Sequence, residues 1–290
     1  MHAYHGHDER RVPPLILGHE AAGLVTEGEL AGTRVAINPL MTCGKCRYCI
    51  EGRTNLCPQR EIIGMRLPGA FAEQVAVNAD NLIPLPEGMS ELAASLMEPT
   101  AVSLHSVVLA ERVLSRPLSE ARVLVIGGGA IGLLAALVAN HKSAAQIMLA
   151  ETGTARRATI ADTGCCEVFD PLGTAVPEAG SFDLVIDAVG SAATRRSACA
   201  YAAPGGVISH IGLQDNDDGL DVRRLTLQEI TLIGNYTYSV TDLHVSLDLL
   251  ARNALGDLAW VEARPLADGD AAFRDIHTGQ CAAPKIVLHP

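Results

Sequence analysis

Three glycines and one acid restrict the fold of this chain more than any other residues. Gly127, Gly129 and Gly132 spell G-x-G-x-x-G in IGGGAIG, directly after the apolar run RVLVIG and directly before LLAALVAN. That order predicts a strand, a tight turn and a helix. The first glycine permits the turn, the second lets the backbone approach a pyrophosphate, and the third lets helix and strand pack closely. Ala130 and Ile131 open the helix, whose N-terminal amides then face negative phosphates. Nineteen residues beyond Gly132, at the end of the next strand, Glu151 is placed to accept from adenosine ribose hydroxyls. The glycines alone could serve close packing, and Glu151 alone could be a solvated strand end. Their joint spacing points to a dinucleotide.

The rest of the second half supports a parallel sheet. From Arg122 onward the runs RVLVIG, QIMLAE, CCEVFD, FDLVIDAVG, GGVISHIG and ITLIGNY alternate with helix-sized segments, as βαβ units require. Residues 170–181 (DPLGTAVPEAGS) are too short and too rich in Pro and Gly for a full helix, so that crossover is expected to be trimmed. Val123 to Ala139 is apolar enough to suggest a membrane span, but it falls short of twenty residues and carries four glycines. A strand, a turn and a buried helix account for it better. The first hundred residues differ in texture: short runs (LILG, RVAINP, FAEQVAV, NLIPLP) punctuated by Gly, Pro and Asn predict a partly closed β fold. SELAASLMEPTAVSLHSVVLAERVL then predicts a helix broken or kinked around Pro99.

Cys43, Cys46, Cys49 and Cys57 fall within fifteen residues as C-x2-C-x2-C-x7-C. Thiolates so close in sequence can converge on one ion, and four soft donors favour tetrahedral zinc. A closed shell of four thiolates leaves no position for substrate, so this zinc is expected to staple a loop. Two disulfides or free thiols are the alternatives. At 290 residues the chain is long enough for two domains, and its net charge of −11 argues against a nucleic-acid or anionic-membrane partner. Aromatic residues make up only 3%, which disfavours base stacking as well. The polar start MHAYHGHDERR has no apolar core of a signal peptide. The expectation is a soluble, cytoplasmic protein.

His19 and Glu20 in ILGHEAAG and Glu98 in LMEPT are an imidazole and two carboxylates from separate segments, the donor types of an open zinc site. Singly each is weak, because a histidine beside an apolar run more often serves structure. Together with His2-x3-Gly6, PLILGHEAAGLV, the four-cysteine lobe, EPTAVSLHS, VIGGGAIG, IDAVG and GNYTYS, they resemble the zinc-dependent medium-chain alcohol dehydrogenases, in the branch of sorbitol and threonine dehydrogenases. The resemblance covers nearly the whole chain, in the family's order.

This resemblance implies an α/β protein: a Rossmann doubly wound parallel sheet plus a GroES-like β domain, the latter N-terminally incomplete. The expected division is 1–97 for the GroES-like domain, with the structural-zinc lobe at about 41–59, then 98–241 for the NAD-binding domain. Residues 242–290 would return to the first. It further implies that His19, Glu20 and Glu98 serve the catalytic zinc, with Glu98 acting directly or through water, and that His2 joins a proton relay. Arg156 would stand near the adenosine ribose, and Val189, Gly190, Tyr236 and Ser239 would line the nicotinamide end. The implied reaction is oxidation of an alcohol or polyol coupled to NAD reduction, in a homodimer or homotetramer. In the family the first catalytic ligand is a cysteine in C-G-x-D-x-H, of which only Met1-His2 stands here. The resemblance places that cysteine just upstream of Met1, with a chain that truly lacks it as the alternative; Cys165, Cys166, Cys199 and Cys281 do not match its position. Weaker zinc binding and low activity are expected without it. A non-catalytic NAD-binding scaffold is the alternative, with zinc-free reductase chemistry on the same fold a further one.

Glu151 also bears on cofactor choice. A carboxylate about 4 Å from a 2′-phosphate repels it by about 4 kcal/mol per charge pair at an effective dielectric of 20, and about half of that still favours NAD over NADP more than tenfold. Arg156 and Arg157 pull the other way, because guanidinium groups accept phosphate.

Overall fold

The computed structural model describes Tyr4, Gly6 and residues 11–215 and 217–290. It divides into two compact units, one made of residues 1–101, 237–278 and 286–290, the other of 102–236 and 279–285.

The first unit begins with short strands. β1 (Ala22–Leu24), β2 (Arg34–Ile37) and β5 (Leu82–Pro84) form an antiparallel sheet in the order β1-β2-β5, and β3 (Leu40–Met41) pairs with β4 (Glu61–Ile62). RVAINP and NLIPLP supply β2 and β5 as expected. LILG and FAEQVAV form no strand; residues 16–18 and 69–71 are instead joined by three backbone hydrogen bonds of 2.7–2.9 Å. The physical reason is glycine crowding. Gly18 adopts φ +95°, and side chains at Gly64 or Gly69 would overlap its carbonyl, so the backbone runs too close and too twisted for a regular ladder. Between β3 and β4, the short helix α1 (Arg47–Ile50) and a 3-10 turn over Thr54–Leu56 carry the cysteine lobe.

α2 (Glu91–Ser95) is capped by Ser90, whose hydroxyl accepts from the Ala93 amide at 3.2 Å. The chain breaks at Leu96 and resumes as α3 (Met97–Glu111). The break therefore precedes Pro99, which lies in the first turn of α3, where a missing amide hydrogen costs nothing.

The second unit is built on six parallel strands: β6 (Arg122–Ile126), β7 (Gln146–Ala150), β8 (Glu167–Phe169), β9 (Phe182–Asp187), β10 (Ala202–His210) and β11 (Thr231–Gly234). Their order is β11-β10-β9-β6-β7-β8, the doubly wound arrangement whose switch point falls between β6 and β9. Helices α4 (Ala130–His141), α5 (Thr154–Asp162), α6 (Ala192–Tyr201) and α7 (Val222–Leu227) connect them, and residues 170–181 cross from β8 to β9 without one. Residues 123–126 of β6 and 184–186 of β9 are apolar and buried because a parallel sheet is covered on both faces, and α4 is correspondingly apolar, with Leu133 to Ala136 fully buried. Buried serines in this unit are paired: Ser103 donates to the Ile131 carbonyl at 2.9 Å, and Ser106 and Ser209 hydrogen-bond at 2.8 Å.

The chain ends with α8 (Val240–Ala251), β12 (Val261–Pro265), α9 (Gly269–His277) and β13 (Lys285–His289), the last pairing with β12. The Val123–Ala139 segment is thus β6, the glycine turn and most of α4. Among the described residues no helix is long and apolar enough to cross a membrane.

The turn between β6 and α4 has no spare room. A side chain at Gly132 would overlap the Gly127 carbonyl oxygen. Gly132→Ala is therefore expected to cost about 1–3 kcal/mol by overpacking, lowering Tm by several degrees. Differential scanning calorimetry checks this, and a Tm equal to wild type would refute the tight contact.

Candidate metal and dinucleotide sites

The four cysteines converge. Sulfur separations are 3.6 Å for Cys43–Cys57, 3.5 Å for Cys46–Cys49 and 4.0 Å for Cys43–Cys49, and all four lie within 4.8 Å of one another. Thiolates bound to tetrahedral zinc at about 2.3 Å stand about 3.8 Å apart, so this spacing suits the ion. It is far too wide for the disulfide alternative, and all four cysteines are free thiols. The amides of Lys45 and Cys46 point at the Cys43 sulfur and hold its thiol down to about 6, favouring the ligating thiolate. The chain turns at Cys46, which caps α1, and at Cys57, which ends the 3-10 turn. These two turns bring sequence neighbours onto one point.

A second cluster joins His19, Glu20 and Glu98, each offering one ligand atom within 4.8 Å of the others. The Gly18 turn, fixed by the Ala70 amide donating to the Gly18 carbonyl at 2.9 Å, delivers His19 and Glu20. Glu98 comes from the first turn of α3 and is 6% exposed. Burial pushes its carboxyl up to about 7, while a hydrogen bond with the Tyr238 hydroxyl works against that rise. Two carboxylates this close, one of them buried, repel each other unless a proton or a cation intervenes. The donor set of one nitrogen and two oxygens fits a catalytic-type zinc. Tyr238, itself 2% exposed, was not singled out from the sequence, although GNYTYS contains it.

In the second unit the glycine loop has the form of a dinucleotide cradle. Gly127 takes φ +99° to make the turn, and a side chain there would lie 2.5 Å from the Val189 methyl. Around Gly129, by contrast, no atom stands within 4 Å of where a side chain would begin. That open space, at the N-terminus of α4 with its unbonded amides, is what a pyrophosphate needs. Ala130 and Ile131 form the first turn of α4.

Glu151, 7% exposed, has more to do than meet a ribose. It accepts from the Gly128 amide at 2.9 Å and the Gly153 amide at 2.7 Å, tying the glycine loop to the end of β7. A carboxylate has about four acceptor positions, so both oxygens can still receive ribose hydroxyls. Arg156 stands 3.9 Å from Glu151, donates to the Cys281 carbonyl at 3.3 Å, and keeps a buried Nε without a partner. Arg157 is committed elsewhere: it donates to the Glu151 and Thr152 carbonyls at 2.8 and 2.7 Å and pairs with Asp170 at 3.1 Å. Both terminal nitrogens of Arg157 are thus engaged, whereas Arg156 has an idle Nε.

The remaining expected residues are placed as follows. Val189 packs on Gly127, and Gly190 lies against the Gly212 backbone, both on the turn after β9. That turn is held by Asp187, fully buried, which accepts from the Val189 and Gly190 amides at 3.0 and 2.9 Å and from Thr194, with His210 Nδ1 3.2 Å away. Tyr236 follows β11 by two residues in the second unit. Ser239, in the first unit, forms a reciprocal cap with Asp242 at the start of α8, so its hydroxyl already serves the helix. His2 lies outside the described residues.

Comparison with known proteins accords with this geometry. The Alcohol dehydrogenase GroES-like domain model matches residues 1–87, and the Zinc-binding dehydrogenase model matches 130–252. An L-threonine 3-dehydrogenase of Streptomyces avermitilis is 30% identical over 290 residues, covering 95% of this chain and 82% of the relative. A 2-dehydro-3-deoxy-L-galactonate 5-dehydrogenase of Pseudoalteromonas atlantica is 28% identical, covering 95% and 83%. A Sinorhizobium meliloti 1021 chain solved with NADP superposes with a TM-score of 0.83 at 26% identity, covering 100% of this chain and 87% of that one. Fold and matches together define a zinc-binding oxidoreductase built on a dinucleotide fold. Within that class, the chain belongs to the zinc-dependent medium-chain dehydrogenases, in the sorbitol and threonine dehydrogenase branch. The scaffold alternative is not favoured, since the matched relatives are themselves dehydrogenases.

The protonation of Glu98 has a measurable consequence. Without metal, the folded state raises this carboxyl from 4.5 to about 7 and so binds a proton that the unfolded chain releases. The associated stability is fully present below pH about 4.5 and is lost as pH rises through about 7. Urea unfolding of metal-free protein across that range should show the decline. Glu98→Gln should flatten it, and Tyr238→Phe should move its upper end to higher pH. Identical pH profiles for wild type and Glu98→Gln would contradict this assignment.

Proposed function

We propose that this protein oxidises a secondary alcohol or polyol with NAD as acceptor, that His19, Glu20 and Glu98 hold its catalytic zinc, and that Cys43, Cys46, Cys49 and Cys57 hold its structural zinc. The observation that carries the reading is the convergence of His19, Glu20 and Glu98 on one point within a unit matched by the GroES-like model. When bound, the ion supplies Lewis-acid polarisation of an alcohol oxygen and the dinucleotide accepts hydride. The chain's own part is electrostatic and positional. The Gly18 turn orients His19, and Tyr238 holds Glu98 by its hydroxyl. With the ion bound, Glu98 is held as the carboxylate, against the burial that otherwise favours its protonated form. Gly127, Gly129, Ala130, Ile131 and Gly132 seat the pyrophosphate on backbone amides. Glu151 and Arg156 face the adenosine ribose, and Val189, Gly190, Tyr236 and Ser239 are assigned to the nicotinamide end.

A polyhydroxylated substrate is supported by the relatives, whose names specify a sugar-acid derivative and threonine, each with a secondary hydroxyl. The cytoplasm is the compartment we favour, because eight free thiols suit a reducing environment. The partner is a second copy of the chain. β11 is an edge strand, and Leu213, Val222, Leu227 and Leu232 on or near it are 39–64% exposed, a combination that invites strand-to-strand pairing.

Two measurements test this. A polyol and secondary-alcohol panel, read by dinucleotide reduction with zinc counted on the same sample, should give turnover with two zincs per chain. NAD should outperform NADP at least tenfold in kcat/KM, and Glu151→Gln should narrow that ratio. Turnover unchanged after removal of one zinc, or NADP preferred by wild type, would defeat the reading. Sedimentation should show a dimer or tetramer, and Leu232→Lys should shift it toward monomer.

A further inference from the structure

One nucleophilic pair lies outside the zinc clusters and the dinucleotide cradle. Cys165 and Cys166 are adjacent on the turn from α5 to β8, with sulfurs 3.7 Å apart. Cys165 is buried and Cys166 half-buried, so the pair is reached through Cys166. Thr163 fixes the turn: its hydroxyl lies 2.6 Å from the Ile160 carbonyl and 3.2 Å from the Cys165 sulfur, and accepts the Cys165 amide at 3.4 Å. The neighbouring Cys166 thiol, followed by Thr163, brings Cys165 down to about 7, so a reactive thiolate is present near neutral pH.

The geometry narrows what the pair can do. Adjacent residues have Cα atoms about 3.8 Å apart, inside the lower limit of about 4.4 Å for ordinary disulfides, so closing an S–S bond here stores strain. Zinc needs four ligands, and among the described residues no third His, Cys or carboxylate joins these two sulfurs. A single thiophilic centre that asks for two sulfurs meets neither obstacle.

We propose that Cys165 and Cys166 form a chelating dithiol that captures a soft trivalent centre of the arsenic(III) class. With an organoarsenic(III) oxide, two As–S bonds replace the arsenic–oxygen bonds, both thiol protons pass to that oxygen, and one water leaves. Arsenic and sulfur keep their oxidation states, so no oxidant is required.

The test uses the full-length, zinc-loaded protein and one equivalent of phenylarsine oxide, followed by intact mass and peptide mapping. One adduct is expected, on the peptide holding both residues, with zinc content unchanged. 2,3-Dimercaptopropanol should remove it, while 2-mercaptoethanol at equal thiol concentration should not. Cys165→Ser and Cys166→Ser should each weaken capture at least tenfold, because the second attachment is intramolecular. Cys199→Ser should leave it unchanged. The half-buried Cys166 keeps the test decisive should the buried Cys165 variant misfold. Undiminished capture by Cys166→Ser, an adduct on the Cys43–Cys57 lobe with loss of zinc, or recovery of the pair as a disulfide without arsenic would each overturn the proposal.

Discussion

The absence of a side chain at Gly132 sets the geometry of the second unit. The Gly127 carbonyl occupies the space that a β-carbon at 132 would take, so α4 can start directly against the end of β6. That proximity puts the first amides of α4 beside the switch point of the sheet, where parallel-sheet proteins receive ligands. Glu151 completes the arrangement by joining the Gly128 and Gly153 amides across two loops. The acid is therefore a strut of the glycine loop, and its two amide hydrogen bonds explain why a carboxylate can be almost wholly buried there.

The first unit solves a different problem, gathering donors from a small amount of regular structure. Its strands are two to five residues long, too short to organise a site by themselves. Order comes instead from turns: the cysteine lobe wraps two caps around one point, and the Gly18 turn is locked by backbone contacts to residues 69–71. The two donor sets differ as their chemistry requires. Four sulfurs make a closed, soft shell, whereas one imidazole and two carboxylates make an open, harder one.

Much of this was legible in the residues. The strand runs after Arg122 became β6 to β11, because Val- and Ile-rich stretches buried on both faces leave little alternative. The cysteine spacing needed no tertiary knowledge, since all four ligands lie within one loop. Other features were hidden because they depend on distant partners. LILG and FAEQVAV have strand composition, yet glycine crowding around Gly18 prevents a ladder. The helix break precedes Pro99 because proline is welcome in a first turn. Arg157 looks from sequence like a phosphate ligand, and only the fold reveals its commitment to two carbonyls and Asp170. Nothing local marks Tyr238 as the donor to Glu98.

The fate of Arg157 constrains how coenzyme preference could drift in this lineage. A newcomer phosphate on the ribose would find both terminal nitrogens of that guanidinium engaged, and freeing them would unpin the loop that begins α5. Arg156, with an idle Nε, is a cation at hand, yet it stands 3.9 Å from the same carboxylate that the phosphate must avoid. Relaxing the preference therefore requires replacing Glu151, and with it the strut between two loops. On the proposed assignment, discrimination and mechanical integrity share a single side chain, which makes the choice of coenzyme hard to reverse by gradual steps.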